Sequence, residues 1–221
     1  MTYDAVVLDN DGVLTTMTDR SVMVRAVRGA FQDMGVADPD PEDVERLIYG
    51  VTPEILQAVS DRYGLAPRPL WYRRDMRSSL VQEREVRAGR KALYRDFEAL
   101  DAIDRPLGIV SSNQDRTVAA ILDQHDIGHY FETVYGREMD PESLARKKPD
   151  PYYLDLAIAD LGAKNPLFVG DSESDVQAAR AAGVDSVFIR RDHRAETELA
   201  VTPTYEIESL AELPDIVHRS A

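Results

Sequence analysis

The chain runs to 221 residues, 43% of them hydrophobic, and carries a formal net charge of −14 from 40 acidic and 26 basic side chains. That length and apolar share suit one large domain, or a core of about 150 residues with a smaller insert, and exclude global disorder. The acidic field speaks against nucleic acid as a partner, the lack of any apolar run of about 18 residues against a membrane span, and the absence of cysteine against disulfide or thiolate chemistry.

A strand-like run, DAVVLD at 4–9, stands directly at the N-terminus, so no secretory signal is expected and a cytoplasmic location is the default. It leads into Asp9-Asn10-Asp11-Gly12-Val13-Leu14. Two carboxylates at i and i+2 on an extended loop can share a site, and Gly12 lets the backbone turn sharply behind them. One carboxylate can then attack phosphorus while the other handles the leaving-group proton. Taken alone, the segment reads equally well as an Asn/Asp-Gly turn.

Residues 17–88 carry no convincing strand. Amphipathic segments at 20–34, 41–48, 53–63 and 69–87 predict helices, separated by turn signals at 38–41, 50–53 and 64–69. This stretch is expected to be a helical insert between the first and second core strands. Within it, Tyr49 to Glu54 and Trp71-Tyr72-Arg73-Arg74 are candidate substrate contacts, although solvated helix surface explains each residue taken singly.

Beyond the insert, strand-like runs at 107–111, 131–136, 166–170 and 185–189 alternate with helical patterns at 90–103, 114–126, 150–161 and 173–182. The alternation predicts a doubly wound, Rossmann-like parallel sheet of the α/β class, with its active site beyond the carboxyl ends of the strands. Polar residues cluster there. Ser111-Ser112-Asn113 ends the second core strand, where a hydroxyl and free N–H groups can cradle phosphate or simply cap a helix. Lys147-Lys148-Pro149-Asp150-Pro151 precedes the 150–161 helix; a lysine there can neutralise a phosphoryl group, or the pair is a solvated basic loop. Gly170-Asp171-Ser172-Glu173-Ser174-Asp175 places one acid at a strand end and another one helical turn later on the same face. Hard carboxylates at that spacing suit magnesium. An acidic helix start explains some of them, but not the strand-end Asp171 as well.

Asp9-x-Asp11-Gly12, strand-end Ser111, Lys148-Pro149 and Gly170-Asp171-Ser172-x-x-Asp175 occur in the order and spacing of the haloacid dehalogenase-like hydrolase superfamily, which the chain therefore resembles over its whole core. Within it, the sequence is similar to the phosphoglycolate phosphatase and beta-phosphoglucomutase branch, whose last strand and helix the 202–210 tail resembles. The resemblance implies a core of residues 1–16 and 89–221 and a cap of residues 17–88. It implies Asp9 as nucleophile, Asp11 as proton donor and acceptor, and Lys148 offsetting charge between Asp9 and phosphate. Ser111, Ser112 and Asn113 would hold the phosphoryl oxygens of a small phosphorylated metabolite. Magnesium would be held by Asp9, the Asp11 carbonyl, Asp171 and Asp175, the last directly or through water.

Departures from the pattern narrow the function. Asn10 stands where the superfamily has a bulky apolar residue, and Thr16-Met17 where many relatives have Asp followed by Ser or Thr. Ser21 and Pro53 occupy the places of a mutase histidine and a phosphate-holding cap arginine, which weakens the phosphosugar mutase reading. A 2-haloacid dehalogenase needs neither Asp11 nor the Asp171/Asp175 pair. A phosphonate hydrolase of this superfamily needs a cap lysine, and no lysine precedes Lys91. A non-enzymatic binding protein would be free to lose one of the acids. The basic residues divide into 22 arginines and four lysines, Lys91, Lys147, Lys148 and Lys164. High-GC coding bias explains the arginine, but salt adaptation explains the excess of Asp as well.

Overall fold

The computed structural model describes residues 2–218. Its centre follows from four apolar residues in a row: Ala5, Val6, Val7 and Leu8 form β1 (Ala5–Leu8), and none is exposed. A strand apolar on both faces needs a layer on each side, the condition of a parallel sheet. β1 pairs with β2 (Leu107–Gln114) on one side and β4 (Pro166–Gly170) on the other. With β3 (Thr133–Arg137), β5 (Asp185–Ile189) and β6 (Tyr205–Ile207) they make a six-stranded sheet, all parallel, in the order β3-β2-β1-β4-β5-β6. The order reverses beside β1, the kind of switch point at which open α/β sheets leave a crevice past the strand ends.

The two-residue period sorts the strands' side chains into two layers. Val6, Leu8, Ile109, Leu167 and Val169 join the layer that includes Val118 of α5 (Asp115–His125) and Val217 of α8 (Leu213–Val217). Val7, Val110 and Phe168 join the layer under α6 (Tyr152–Asp160) and α7 (Glu173–Ala182). Truncating Phe168, 1% exposed, to alanine would cost about 3–5 kcal/mol, a large share of a domain's stability.

Four helices lie between β1 and β2: α1 (Arg20–Asp33), α2 (Pro41–Arg46), α3 (Pro53–Tyr63) and α4 (Pro67–Arg87). Asp19, Asp40 and Thr52 each accept a backbone N–H at the start of the first three. Their apolar faces meet in a cluster built on Met23, Val27, Phe31, Leu47, Leu56 and Trp71, distinct from the sheet layers. Leu144, from the 3-10 turn Pro141–Ala145 of the core, also belongs to that cluster. The insert is thus seated on the core through apolar contact. No helix of the described residues is long and apolar enough to cross a membrane.

Several expected boundaries shift for identifiable reasons. The helix expected over 90–103 does not form; only Phe97–Ala102 winds, as a 3-10 helix. The Thr16 N–H donates to the Ala92 carbonyl at 2.9 Å and the Tyr94 N–H to the Leu14 carbonyl at 3.0 Å, so these backbone groups pair across the two crossings between core and insert. α4 begins two residues earlier than expected because Pro67 and Pro69 fall in a first turn, where N–H groups have no intrahelical partner anyway. β2 continues past residue 111 to Gln114 through an irregular register after Val110, which delays α5 to Asp115. β3 lies at 133–137 instead of 131–136. The tail yields β6, then a 3-10 turn at Leu210–Glu212 and α8.

Candidate active site

Asp9 follows β1 immediately, and its N–H donates to the Val169 carbonyl at 2.8 Å, continuing the β1–β4 ladder by one step. That bond fixes the carboxylate at the sheet's edge. Asn10 N–H donates to Asp9 Oδ1 at 2.7 Å. Gly12 turns the chain away with φ of +81°, and a Cβ there would stand 2.3 Å from Asp171 Oδ2. Glycine is thus required twice over, by the left-handed backbone and by the approach of the β4 loop. Gly170 serves the same approach, since its Cβ would meet that of Asp175 at 2.2 Å.

Lys148 reaches between the acids. Its ammonium lies 2.7 Å from Asp9 Oδ2 and 2.6 Å from Asp175 Oδ1, and it donates to the Val110 carbonyl at 3.2 Å. Burial opposes a charge on Lys148, but Asp175 and Asp9 outweigh it and hold the ammonium above its ordinary pKa. Burial pushes Asp9 up to about 8; Lys148 opposes that rise, and Asp175 and Asp171 add to it. Asp175 closes a capping box on α7, with Oδ2 accepting from the Ser172 N–H at 3.0 Å. Asp171 Oδ2 accepts from His193 Nε2 at 2.7 Å and Arg194 Nε at 3.2 Å. Burial raises the Asp171 carboxyl, yet these two neighbours outweigh it and keep it below the usual range.

Oxygen atoms of Asp9, Asp171 and Asp175 all lie within 4.8 Å of one another, and all three residues are buried. Three hard oxygen donors with one ammonium among them fit a small divalent cation, which would relieve the repulsion that raises Asp9.

Asp11 points elsewhere. Its Oδ1 accepts from Lys91 Nζ and from Asn10 Nδ2 (2.9 Å), and its Oδ2 from Asn113 Nδ2 at 2.7 Å. Asn113 also exchanges amide hydrogen bonds with Gln82 of α4, at 2.8 and 3.1 Å. Ser111 is buried, and its Oγ accepts from the Asn113 N–H at 3.2 Å; Ser112 is half-buried beside it. The expected site residues Asp9, Asp11, Ser111, Ser112, Asn113, Lys148 and Asp171 all line one cavity of about 500 Å³, with Asp175 just behind Lys148.

The insert closes the far side of that cavity. Tyr49, Gly50, Val51, Trp71 and Arg74 line it, whereas Tyr72 and Arg73 face outward and Pro53 and Glu54 are exposed. Asp75, fully buried, accepts from Arg74 at 2.9 Å, from Arg137 twice at 2.8 Å and from Gln114 at 2.8 Å. Both guanidinium groups lie over the Trp71 ring, at 4.8 and 4.9 Å. The Trp71 indole N–H has no partner among the described residues. Lys147 also lines the cavity; burial, helped by Arg137 and Arg74, brings its ammonium down to about 8.

Lys91, Asp75, Gln82, Arg137, His193 and Arg194 were not singled out from sequence as site residues. Each sits in a segment whose local pattern is that of ordinary helix, strand or loop, and only the scarcity of lysine marks Lys91.

Comparison with known proteins agrees with this geometry. The family model of the haloacid dehalogenase-like hydrolases matches residues 6–189. A phosphoglycolate phosphatase of Chromobacterium violaceum is 28% identical over 222 residues, covering 96% of each chain. One of Pseudomonas fluorescens is 36% identical over 110 residues, which span 48% of this chain but only 39% of that relative. The crystal structure of CbbY from Rhodobacter sphaeroides in complex with phosphate superposes with a TM-score of 0.73 at 20% identity, over 96% of both chains. With the family model matched over most of its length and the acids, lysine and parallel sheet in place, the chain belongs to the haloacid dehalogenase-like hydrolases.

Proposed function

We propose that this protein is a magnesium-dependent phosphatase that hydrolyses a small organic phosphomonoester through an aspartyl-phosphate on Asp9. The observation that carries the reading is the placing of Lys148 between Asp9 and Asp175, with Asp171 alongside, at the end of a cavity large enough for a small metabolite. An oxygen of Asp9 attacks phosphorus as the ester P–O bond breaks, and Asp11 gives its proton to the departing oxygen. Asp11 then takes a proton from water, whose oxygen displaces Asp9 from phosphorus and releases inorganic phosphate. Ser111 and the Ser112 N–H hold the phosphoryl oxygens, Asn113 stands beside them bonded to Asp11, and Lys148 offsets the charge that Asp9 and phosphate bring together. Asp9, the Asp11 carbonyl, Asp171 and, directly or through water, Asp175 would hold magnesium, which would supply Lewis-acid neutralisation of the phosphoryl group. Residues 17–88 act as the cap that selects the rest of the substrate.

Within that class, a substrate carrying a second anionic group is favoured over a neutral sugar phosphate. Lys147 lines the cavity with no acidic partner in ion-pair range among the described residues. A carboxylate or second phosphate would give that ammonium the partner it lacks. Relatives named phosphoglycolate phosphatases fit this preference. Ser21 and Pro53 are exposed or nearly so, and neither lines the cavity, which gives no support to a mutase. The test is a phosphate-release screen over phosphoglycolate, sugar phosphates and nucleoside monophosphates, with and without magnesium. Release from none of them, or release undiminished after exhaustive chelation, would sink the proposal.

A further inference from the structure

Lys91 plays no part in the mechanism above, yet it is the most deeply buried cation of the site, at 0% exposure. It belongs to the segment that returns the chain from α4 to the core. Its ammonium donates to Asp11 Oδ1 and to the Thr16 carbonyl, the latter at 2.9 Å. Thr16 stands on the outgoing crossing toward α1, and it is already bonded to the returning one: its N–H donates to the Ala92 carbonyl at 2.9 Å and its Oγ1 accepts from the Ala92 N–H at 3.1 Å. The crossing therefore holds without Lys91, and an apolar side chain of that length would cost less to bury than an ammonium. Composition points the same way. In a chain with 22 arginines and four lysines, three lysines lie at the candidate site, as though a compact point charge were needed where a planar guanidinium would not fit.

The two oxygens of Asp11 are unequal. Oδ1 is occupied by Lys91 and Asn10, with the Thr15 hydroxyl at 3.4 Å, whereas among the described residues Oδ2 has only Asn113. A carboxylate oxygen with one donor keeps capacity for another partner. We propose that Lys91 is the positioning residue for Asp11: its ammonium pins Oδ1 against the crossing segments, so that Oδ2 is the oxygen presented to the leaving group. The inference rests on the reading of Asp11 as proton donor, so Asp11→Asn is measured beside every Lys91 variant.

The readout is leaving-group selectivity, which a merely structural role would not move. Lys91→Met should lower the ratio of turnover on an alkyl phosphate to turnover on p-nitrophenyl phosphate by roughly 10- to 100-fold, because p-nitrophenolate departs without a proton and an alkoxide does not. The loss should fall in kcat and not in KM, since Lys91 is too buried to touch substrate. Added to Asp11→Asn, the substitution should lower that ratio no further, as expected when one residue acts through the other. If Lys91→Met does not fold, Lys91→Gln keeps a donor for Thr16 without the ammonium, and carries the same test. An unchanged ratio in the Lys91 variant while Asp11→Asn is strongly selective overturns the role of Lys91 alone. An unchanged ratio in Asp11→Asn itself overturns the Asp11 reading and this inference with it.

Discussion

On the core side of the cavity, Asp9 and Asp175 share the ammonium of Lys148, whereas on the cap side Arg74 and Arg137 share the carboxylate of Asp75. The two buried triads are near mirror images in charge. Each leaves an excess of one, and each has a further like charge beside it, Asp171 on the floor and Lys147 on the wall. Burying an excess charge is costly unless something completes the set. A cation on the floor and an anion on the wall would complete both, and a phosphorylated acid bound with magnesium, as proposed above, would bring the two together.

The largest effect expected from breaking the floor is that of Asp9→Asn, which should abolish phosphate release without lowering Tm. The amide removes a carboxyl that burial and its neighbours already push up to about 8, and Lys148 keeps Asp175 as a partner. Near wild-type turnover in this variant would falsify the proposed nucleophile. Next comes the metal. Chelation should stop turnover and magnesium restore it, while calcium inhibits because it relaxes octahedral geometry. Magnesium at a hundredfold excess over its Kd should also stabilise the fold by about 2.7 kcal/mol. Asp171→Ala should shrink that stabilisation and raise the magnesium requirement, and a thermal shift indifferent to magnesium in the unmutated protein would argue against a floor site.

Removing the shared partner from each triad sharpens the comparison, because the two sides cannot respond alike. Asp75→Asn strands two guanidinium groups that cannot shed their protons, and should cost about 3–5 kcal/mol. For a chain of this size that is a fall in Tm on the order of 10 °C. Lys148→Met strands two carboxylates instead, and these can protonate, so its thermal cost should be clearly smaller even though turnover is lost. Equal Tm losses in the two variants would show that the likeness of the triads is one of drawing only.

A smaller effect belongs to Lys147. Lys147→Met should lower kcat/KM for phosphoglycolate relative to a neutral alkyl phosphate by about 10- to 100-fold, the scale of a charge-assisted hydrogen bond lost. In the unmutated protein the same ratio should fall as pH rises through about 8, since the charged form of Lys147 is present below that value and lost above it. Both substrates would react at the proposed nucleophile Asp9, so its own titration divides out of the ratio. A ratio independent of pH, or unmoved by the substitution, would remove Lys147 from substrate recognition.

How much of this was legible in the sequence depends on whether a residue's neighbours along the chain announce it. Asp9, Ser111 and Asp171 stand at the ends of apolar runs, so strand periodicity alone places them along one edge of a parallel sheet. Lys148 precedes a proline and Asp175 begins a capped helix, both local signals. Asp75 and Arg137 lie 62 residues apart and meet only because α4 lies against the end of β3, a fact no local pattern carries. Lys91 was hidden by a wrong element. Ala92, Leu93, Phe97, Leu100 and Ile103 mimic a helical stripe, but Leu93 bridges to Thr15 in an extended segment, and the winding starts only at Phe97. The tertiary pairing of the two crossings overrode a local preference for helix.

The smallest expected effect concerns the surface outside the cavity, where the net charge of −14 leaves acidic side chains unmatched. At low salt these repel over about 10 Å, and at molar salt over about 3 Å, so added KCl relieves the compact state. The opposing loss is that of exposed ion pairs such as Arg20–Glu45, Arg62–Asp40 and Arg77–Asp33, which the same salt screens. Each is worth about 0–1 kcal/mol at most, and the buried triads are screened far less. Relief of repulsion should therefore win, raising Tm by several degrees between about 0.1 and 2 M KCl, with turnover retained. Potassium chloride is the right salt, because sulfate strengthens apolar burial in any protein and would mask the charge effect. A flat or falling Tm would return the arginine-rich, lysine-poor composition to coding bias and leave Lys91, Lys147 and Lys148 explained by the active site alone.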